Sequence, residues 1–546
     1  MSLREFHKQR LVLQPPASSF TAEVGLSRWS NKDLDPVPKS EKKWEWYHVA
    51  GFWIVEGFSV AQIQTASATV ALGLNPGLAL GAFFIGNMIV AAVCAGVGYI
   101  GSKHSINFPV ISRASFGIWG SYLPIVIRAV VCPIWYGIIA YLGSLGIQAM
   151  IEAIWPSFPA WHMNAIPASA SIDAPGLLSF FIYWLISLPF FFIGMPALRW
   201  LFLVKMCIMP LLGVSLFTWA VTAAKGFGPL IRIPNKIENG MSVGYAFCYA
   251  ITTAISACST FAVNMPDITR YARNPRTSAW GQFICLPLCL TLTYFLGVVL
   301  AASSEVVYGQ IIWNPLQLVQ LWDNRAAKFF VGLLFAFANI ATNVAGNSIP
   351  FGNDVTAIIP RYMNLRRGQI LCALLGFAIC PWKIEASASR FLGFLNGYTI
   401  FLGPISGVLL SDYFLVRGPK GYDVYQLYKP HGLYWYRAGA NVRALAAFLI
   451  GMVPQLPSLV YQINSQVKGI SRGYIEFASI GWLNGLVFSA LAYYGFFRFA
   501  PFPVQMDEQG MAAAEPGGLP EKQIENQSSR GSDNTHECGE GLQYMV

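Results

Sequence analysis

Long apolar runs recur along the chain, separated by short polar stretches that hold most of the charge. A hydrocarbon core about 30 Å thick takes about 20 apolar residues in helical form. Runs of that kind fall at roughly 47–74, 78–100, 121–154, 176–195, 200–223, 243–265, 281–303, 327–350, 368–384, 391–416, 440–463 and 474–499. The pattern predicts an all-α polytopic membrane protein with twelve transmembrane helices. The run at 121–154 is longer than one crossing needs and that at 368–384 is shorter, so a tilt or a break is expected in each. Residues 1–43 are polar and carry eight Lys/Arg with no signal-peptide pattern, so the first run is expected to direct insertion itself. The tail 500–546, rich in Gly, Glu, Gln, Ser and Asn, is expected to be disordered.

Composition narrows the class. Only 11% of the 546 residues are charged and 55% are apolar, whereas soluble globular chains carry about 25% charged residues. Too few charges remain to clothe a soluble body, which excludes disordered, fibrous, disulfide-scaffold and ordinary cytosolic classes. The net charge of +10 has a topological cause. Of the 36 Lys/Arg, 26 fall in segments on the side of the two termini, nine in the opposite loops, and Arg128 inside the third run. Positive residues concentrate on the cytoplasmic side, so both termini are expected in the cytoplasm of a plasma-membrane protein. A nucleic-acid partner is not expected; the basic N-terminal segment is read as solvated or as touching anionic lipid.

Nine cysteines lie in apolar runs and Cys538 in the polar tail, with no CxxC pattern and no Cys/His cluster, so they read as small apolar fillers. No metal or cofactor is expected. No HExxH, nucleophile elbow or P-loop occurs, and the six histidines (His7, His48, His104, His162, His431 and His536) are scattered. An enzyme is not expected.

Polar residues inside the runs carry the functional signal. The first run contains Glu56-Gly57-Phe58-Ser59 and then Gln62 and Gln64; the sixth contains Thr252 through Thr260 and then Asn264-Met265-Pro266-Asp267. Two readings stand: small-residue packing between helices, or paired helix breaks whose exposed main chain replaces a solute's hydration shell. A carboxylate within a span costs several kcal/mol unless it faces a cavity or a partner, so Glu56 marks an ion or proton path or else sits at the headgroups behind the aromatic belt of Trp44, Trp46, Tyr47 and Trp53. Lys205 and Arg128 either face the protein interior or snorkel to the surface. Asn339, Thr342, Asn343 and Asn347 share one face of the eighth run, as interhelical glue or as a cavity lining. An amide offers donor and acceptor together and suits the edge of a nucleobase or ureide. Trp135-Tyr136, deep in the third run, offer a flat wall for a planar heterocycle or fill the core.

The chain resembles the nucleobase–cation-symport-1 permeases, in particular their fungal uracil/allantoin/uridine-permease-like branch. The resemblance runs from about 40 to 500 and rests on Phe108 through Gly117, Trp135-Tyr136-Gly137, Ala262 through Arg273, Thr342 through Asp354, Arg361 through Gly368, Pro381-Trp382-Lys383, and Gly397 through Tyr413. It implies a LeuT-like 5+5 inverted repeat with two additional C-terminal helices. The chain then divides into a cytoplasmic tail 1–45, a ten-helix transport core 46–416, a cytoplasmic loop 417–439, helices 11–12 at 440–499, and the tail 500–546.

The resemblance also implies a substrate site at Trp135 as the stacking ring and Asn347 as the reading amide, with Phe58, Ala257, Cys258 and Ile139 around them. It assigns cation or proton coupling to Glu56, Lys205, Ala338 and Thr342, and gating to Asp354 on the cytoplasmic side and Phe394, Leu395 and Asn396 on the outer side. Ala341 replaces the serine of the sodium-using members, so the coupling ion is expected to be a proton. Ile139 replaces the family's usual glutamine, and Cys258 a position often aromatic or polar. Both changes favour a less polar or larger solute.

The resemblance therefore implies proton-coupled uptake of uracil, allantoin, uridine or a related heterocycle by alternating access. Thiamine-like or nicotinamide-riboside-like solutes are the alternative, and a channel or a non-transporting receptor are rivals from other classes. Trafficking or ubiquitination machinery could act on the tails, with Lys522 as an acceptor.

Overall fold

The computed structural model describes residues 29–193, 195–227, 233–237, 242–464, 467 and 469–500. Residues 1–28 and the C-terminal tail beyond 500, with Cys538 and Lys522, lie outside them. Among the described residues there is no β-strand. In chain order, α1 (Trp46–Gly57) and α2 (Val60–Ala71) are two halves of one interrupted run. They are followed by α3 (Pro76–His104), the short α4 (Phe108–Phe116), α5 (Tyr122–Ile154), α6 (Ala174–Ser187) and α7 (Met195–Ala223). A second series begins with α8 (Val243–Ser256), the one-turn pieces α9 (Phe261–Asn264) and α10 (Pro266–Thr269), α11 (Pro275–Tyr308) and α12 (Pro315–Gln320). Next, α13 (Arg325–Thr342) runs through a π-helical segment, Asn343–Ser348, into α14 (Ile349–Ile358). Then come α15 (Leu365–Ala378) and α16 (Ala388–Leu410), the latter ending in a second π-helical segment, Ser411–Arg417. The last helices among the described residues are α17 (Val442–Met452), α18 (Leu456–Ile463), α19 (Arg472–Phe477) and α20 (Gly481–Phe499).

Among the described residues, nine helical stretches are long and apolar enough to cross a membrane by themselves. The runs at 47–74, 243–265 and 368–384 are not among them, because the first two are broken and the third is a helix of 14 residues. The long third run holds as one 33-residue helix despite Pro133. At about 50 Å in length it exceeds the hydrocarbon thickness, which leaves tilt or projection rather than a break.

Helix starts follow a local rule in the sequence. Asn75, Asn107, Asp173, Asn274 and Asn314 each cap a helix through a side-chain oxygen, and a proline follows within the first two helical positions. The cap satisfies an orphan amide, and the proline removes one that would have no partner anyway.

Packing sorts the helices into two groups. In the first, α3 lies along α11 and also against α8, while α1 and α2 pack on α11. In the second, α5 lies along α13 and carries α6 and α15, with α14 against α15. The α5–α13 contact is close because Gly146 and Gly332 meet: a Cβ on either would stand 2.5–2.6 Å from the other's carbonyl oxygen. Leu211, Val214, Leu288, Leu292 and Phe330 point outward, as lipid-facing residues do.

The described part of the N-terminal segment is packed rather than solvated. Trp29 and Leu34 are buried, Arg113 donates to the Trp29 carbonyl at 3.0 Å, Arg270 to the Asp33 carbonyl at 2.8 Å, and the Tyr428 hydroxyl to the Leu34 carbonyl at 2.7 Å. Two large apolar side chains within a polar stretch give this part a reason to dock. Among the nine described cysteines none is in a disulfide, and no His/Cys/Asp/Glu group there could hold a metal ion.

Candidate functional site

The first run breaks at Phe58-Ser59, where the backbone leaves helical geometry (ψ 72° and 156°). Gly57 is a weak helix former and Ser59 a capping type, so the sequence favours a stop and restart here. The Ser59 side chain makes no cap bond. The last carbonyls of α1 and first amides of α2 are thus without helical partners, and Ser59, Ala61 and Gln62 line a cavity at this point.

The sixth run breaks opposite. After Ser256 the residues Ala257 to Thr260 form turns before α9 resumes. Gln62 ties the two breaks together, its amide reaching the Ala257 carbonyl at 3.5 Å and its oxygen accepting from the Tyr294 hydroxyl at 2.7 Å. From α16, the Tyr398 hydroxyl donates to the Ser256 carbonyl and accepts from Ser259 at 3.2 Å, and Asn396 donates to Thr253 at 2.9 Å. Both breaks are therefore held by side chains from neighbouring helices.

The third wall is α13 at its π-helical segment, a wider turn that recurs at functional sites. Its asparagines do different work. Asn347 lines the cavity and donates to Asn343 at 2.9 Å, which leaves its oxygen and a second amide hydrogen for a ligand. Asn343 donates to the Tyr136 carbonyl at 3.1 Å and so fastens α13 to α5. Asn339 is buried one turn below, with neither side-chain polar atom bonded. Cavity lining and interhelical glue, the two readings of this stripe, hold for different members of it.

Glu56, 3% exposed, lies in the last turn of α1 and lines the cavity, with one carboxylate oxygen unbonded. Gly346 makes room for it, since a Cβ there would stand 3.1 Å from the other oxygen. Lys205 of α7 is fully buried rather than snorkelled; it is an electrostatic neighbour of Glu56, and its ammonium donates to the Thr342 hydroxyl at 2.5 Å. Thr342 passes the link on to the Ala338 carbonyl at 3.2 Å.

Of the residues expected at the site, Trp135, Ile139, Ala257, Asn347, Glu56 and Thr342 surround one cavity of about 30 Å³. Others lie off it. Phe58 turns toward Gly213 of α7, Cys258 is buried among the residues around α3, and Ala338 and Leu395 are buried in the core. Phe394 packs edge-on against Trp135, with centroids 5.9 Å apart, and covers the indole. Thr260 of the sixth-run break also lines the cavity, and Phe261 and Gly346 complete the lining. Neither stands out in the sequence, because an aromatic or a glycine in an apolar run looks like packing.

Away from the cavity, Asp354 of α14 is held by Arg128 of α5, through Nε at 2.7 Å and through a second guanidinium nitrogen. Arg128 also donates to Asp267 of α10 at 3.2 Å and to the Pro350 carbonyl at 3.0 Å. Asp267 accepts the Phe108 amide at 2.9 Å at the start of α4. Arg128 is thus buried in an ion triad that joins the two helix groups, and it does not snorkel.

Residues 36–481 match the model of a family described as permease for cytosine/purines, uracil, thiamine and allantoin. The chain belongs to this permease family. Over 488 residues it is 32% identical to the uracil permease of Saccharomyces cerevisiae, covering 87% of this chain and 76% of the relative. To the allantoin permease of the same yeast it is 30% identical over 485 residues, again covering 87% and 76%. Its fold matches that of Mhp1, a nucleobase-cation-symport-1 family transporter solved in a closed conformation with bromovinylhydantoin bound: TM-score 0.71, 21% identity, 88% of this chain and 98% of that one. The permease is therefore a multi-pass membrane protein with the LeuT-like inverted-repeat fold. Its family is one of permeases and not of enzymes.

Proposed function

We propose that the protein is a secondary active transporter that brings a nucleobase-like heterocycle across the plasma membrane together with a proton. Both termini face the cytoplasm in this reading. The observation that carries it is the meeting of two helix breaks, one indole and one carboxamide around a single cavity. Unwound main chain supplies donors and acceptors where a continuous helix would supply none. The solute's ring stacks on Trp135, its edge pairs with Asn347, and Phe394 closes over it from α16. A cavity of about 30 Å³ has room for no more than a water or two and is far too small for a heterocycle. Binding therefore requires α16 and the breaks to part, which is the movement alternating access uses.

The Lys205–Thr342 contact supports a proton as the coupling ion. Thr342 and Ala338 are the positions where a sodium ion would be held, and here Thr342 Oγ1 accepts from an ammonium. An ammonium donating there occupies the oxygen a sodium ion would need and leaves Glu56, in the last turn of α1 before the break, to gain and lose the proton. Protonation shifts the balance between outward and inward states by its differential affinity for them.

Ile139 in the lining favours a second reading of the solute as a less polar or larger vitamin-type ring, such as thiamine or a nicotinamide riboside. Uptake in a permease-null cell tests both. Labelled uracil, uridine, allantoin, purines, thiamine and nicotinamide riboside are supplied singly and in competition, at acidic and neutral external pH. Accumulation of one class, faster at acidic pH, is expected. Accumulation of none by protein present at the surface overturns the transport reading.

A further inference from the structure

Glu385 is a buried carboxylate that the site above does not use. It lies at 5% exposure in the segment between α15 and α16, which on the proposed orientation is extracellular. No cation meets it. Its hydrogen-bond partner is the amide of Gln64 on α2, whose Nε2 stands 3.0 and 2.8 Å from its two oxygens. Gln64 is itself fully buried, and its own oxygen has no partner. An ionised carboxylate can only accept, so both of its oxygens crowd one NH2 group while the amide oxygen stays empty. A carboxylic acid would pair with the whole amide, its O–H donating to Gln64 Oε1 while Nε2 donates to its carbonyl oxygen.

We propose that Glu385 and Gln64 form a proton-operated link at the outer gate. The pair closes when Glu385 takes a proton from the external water and parts when it returns it. The link joins α2 of one helix group to the segment leading into α16, the helix that carries Phe394 over the Trp135 indole. The segment is anchored to the other group, since Pro381 packs at Gly137 of α5. Proton binding from outside would thus favour closure over the solute, as uptake coupled to an inward proton gradient requires. This rests on the transport reading only for the direction of use; the pair itself does not.

The surroundings are consistent with a carboxyl that is neutral when closed. The titratable group facing Glu385 from α5 is the Tyr141 phenol, which also feels Asp173 at the start of α6. On α2 the facing group is the neutral Gln64 amide. Lys383 on the segment and Arg390 on α16, its nearest basic residues in the chain, are both exposed. Burial pushes the Glu385 carboxyl up to about 8, with the Gln64 amide pulling the other way. The sign follows: the closed link is fully present well below that value and is lost as pH rises through it.

Infrared difference spectroscopy of the full-length protein in nanodiscs, stepped in pH, reads the protonated acid directly. A hydrogen-bonded carboxylic C=O band is expected that fades as pH rises through about 8. It should be missing in Glu385→Gln, remain in Glu56→Gln, and move to higher frequency in Gln64→Leu, which keeps the acid and removes its partner. Gln64→Leu serves if Glu385→Gln does not fold. A spectrum indifferent to both Glu385→Gln and Gln64→Leu overturns the proposal. A wild type that transports nothing but shows the band overturns the transport reading instead, so the two failures are distinct.

Discussion

Two links cross between the helix groups, and they are made of different chemistry. The one that is inner on the proposed orientation sets the Arg128 guanidinium against Asp267 and Asp354, with the Phe108 amide and the Pro350 carbonyl completing the bonding. The outer one sets a lone carboxylate against an amide. In the inner link one guanidinium is shared by two carboxylates, so charge pairing holds it and a displacement of the helices opens it. In the outer link a neutral amide is the partner and no opposite charge meets the carboxylate among the described residues, so on our proposal its strength depends on a proton. A carrier built this way answers external pH on one face and conformational movement on the other.

The comparison breaks most visibly at Arg128. Arg128→Gln strands two buried carboxylates, and losing one partner of such a group costs about 3–5 kcal/mol. A large fall in thermal stability and in surface protein is expected, read by melting in detergent and by surface labelling, with partial recovery when Asp354→Asn is added. Full stability in Arg128→Gln would mean that the inner link is not an ion lock. Asn347→Ala lies between the links and should leave melting unchanged. Loss of one hydrogen-bonding partner for a buried solute costs about 1–3 kcal/mol, so KM should rise about tenfold or more, or uptake vanish, with protein still at the surface.

Glu56→Gln sharpens the division of labour. Exchange of labelled for unlabelled solute should persist while a pH gradient no longer drives net accumulation, leaving only the pH response of the Glu385–Gln64 link. A wild-type pH profile in this variant would move coupling away from Glu56. The smallest effect is expected at Ile139. Ile139→Gln should shift the competition panel several-fold toward polar pyrimidines and ureides, leave both links intact, and change melting little.

Much of this is legible in the sequence because it is written in rare residues. Glu56, the Gly57-Phe58-Ser59 stop and the Ser/Thr run before Asn264 stand out against apolar surroundings, and the breaks fall there. An Asn or Asp followed closely by proline marks several helix starts. What stays hidden depends on distance in space. The sequence lets Lys205 snorkel as readily as lie buried, and α13 decides the matter by placing Thr342 beside it. Phe58 and Cys258 sit in the right stretches but point away from the cavity, since a residue at a break has no helical phase to fix its direction. Glu385 does not stand out because one acid near Lys383 resembles a solvated loop, and only the chain's return brings Gln64 to it. Trp29 and Leu34 are masked within a stretch that looks solvated, because charge outweighs them in any window.

Counterflow in proteoliposomes tests the carrier mechanism most directly. Vesicles containing the purified protein are loaded with unlabelled solute and diluted into a trace of label with no pH gradient. A site that alternates between two faces returns loaded, so the label should enter faster than in empty vesicles, overshoot its equilibrium level and then decay, and Asn347→Ala should remove the overshoot. A monotonic rise, equally fast whether or not the vesicles were loaded, would contradict alternating access at this site.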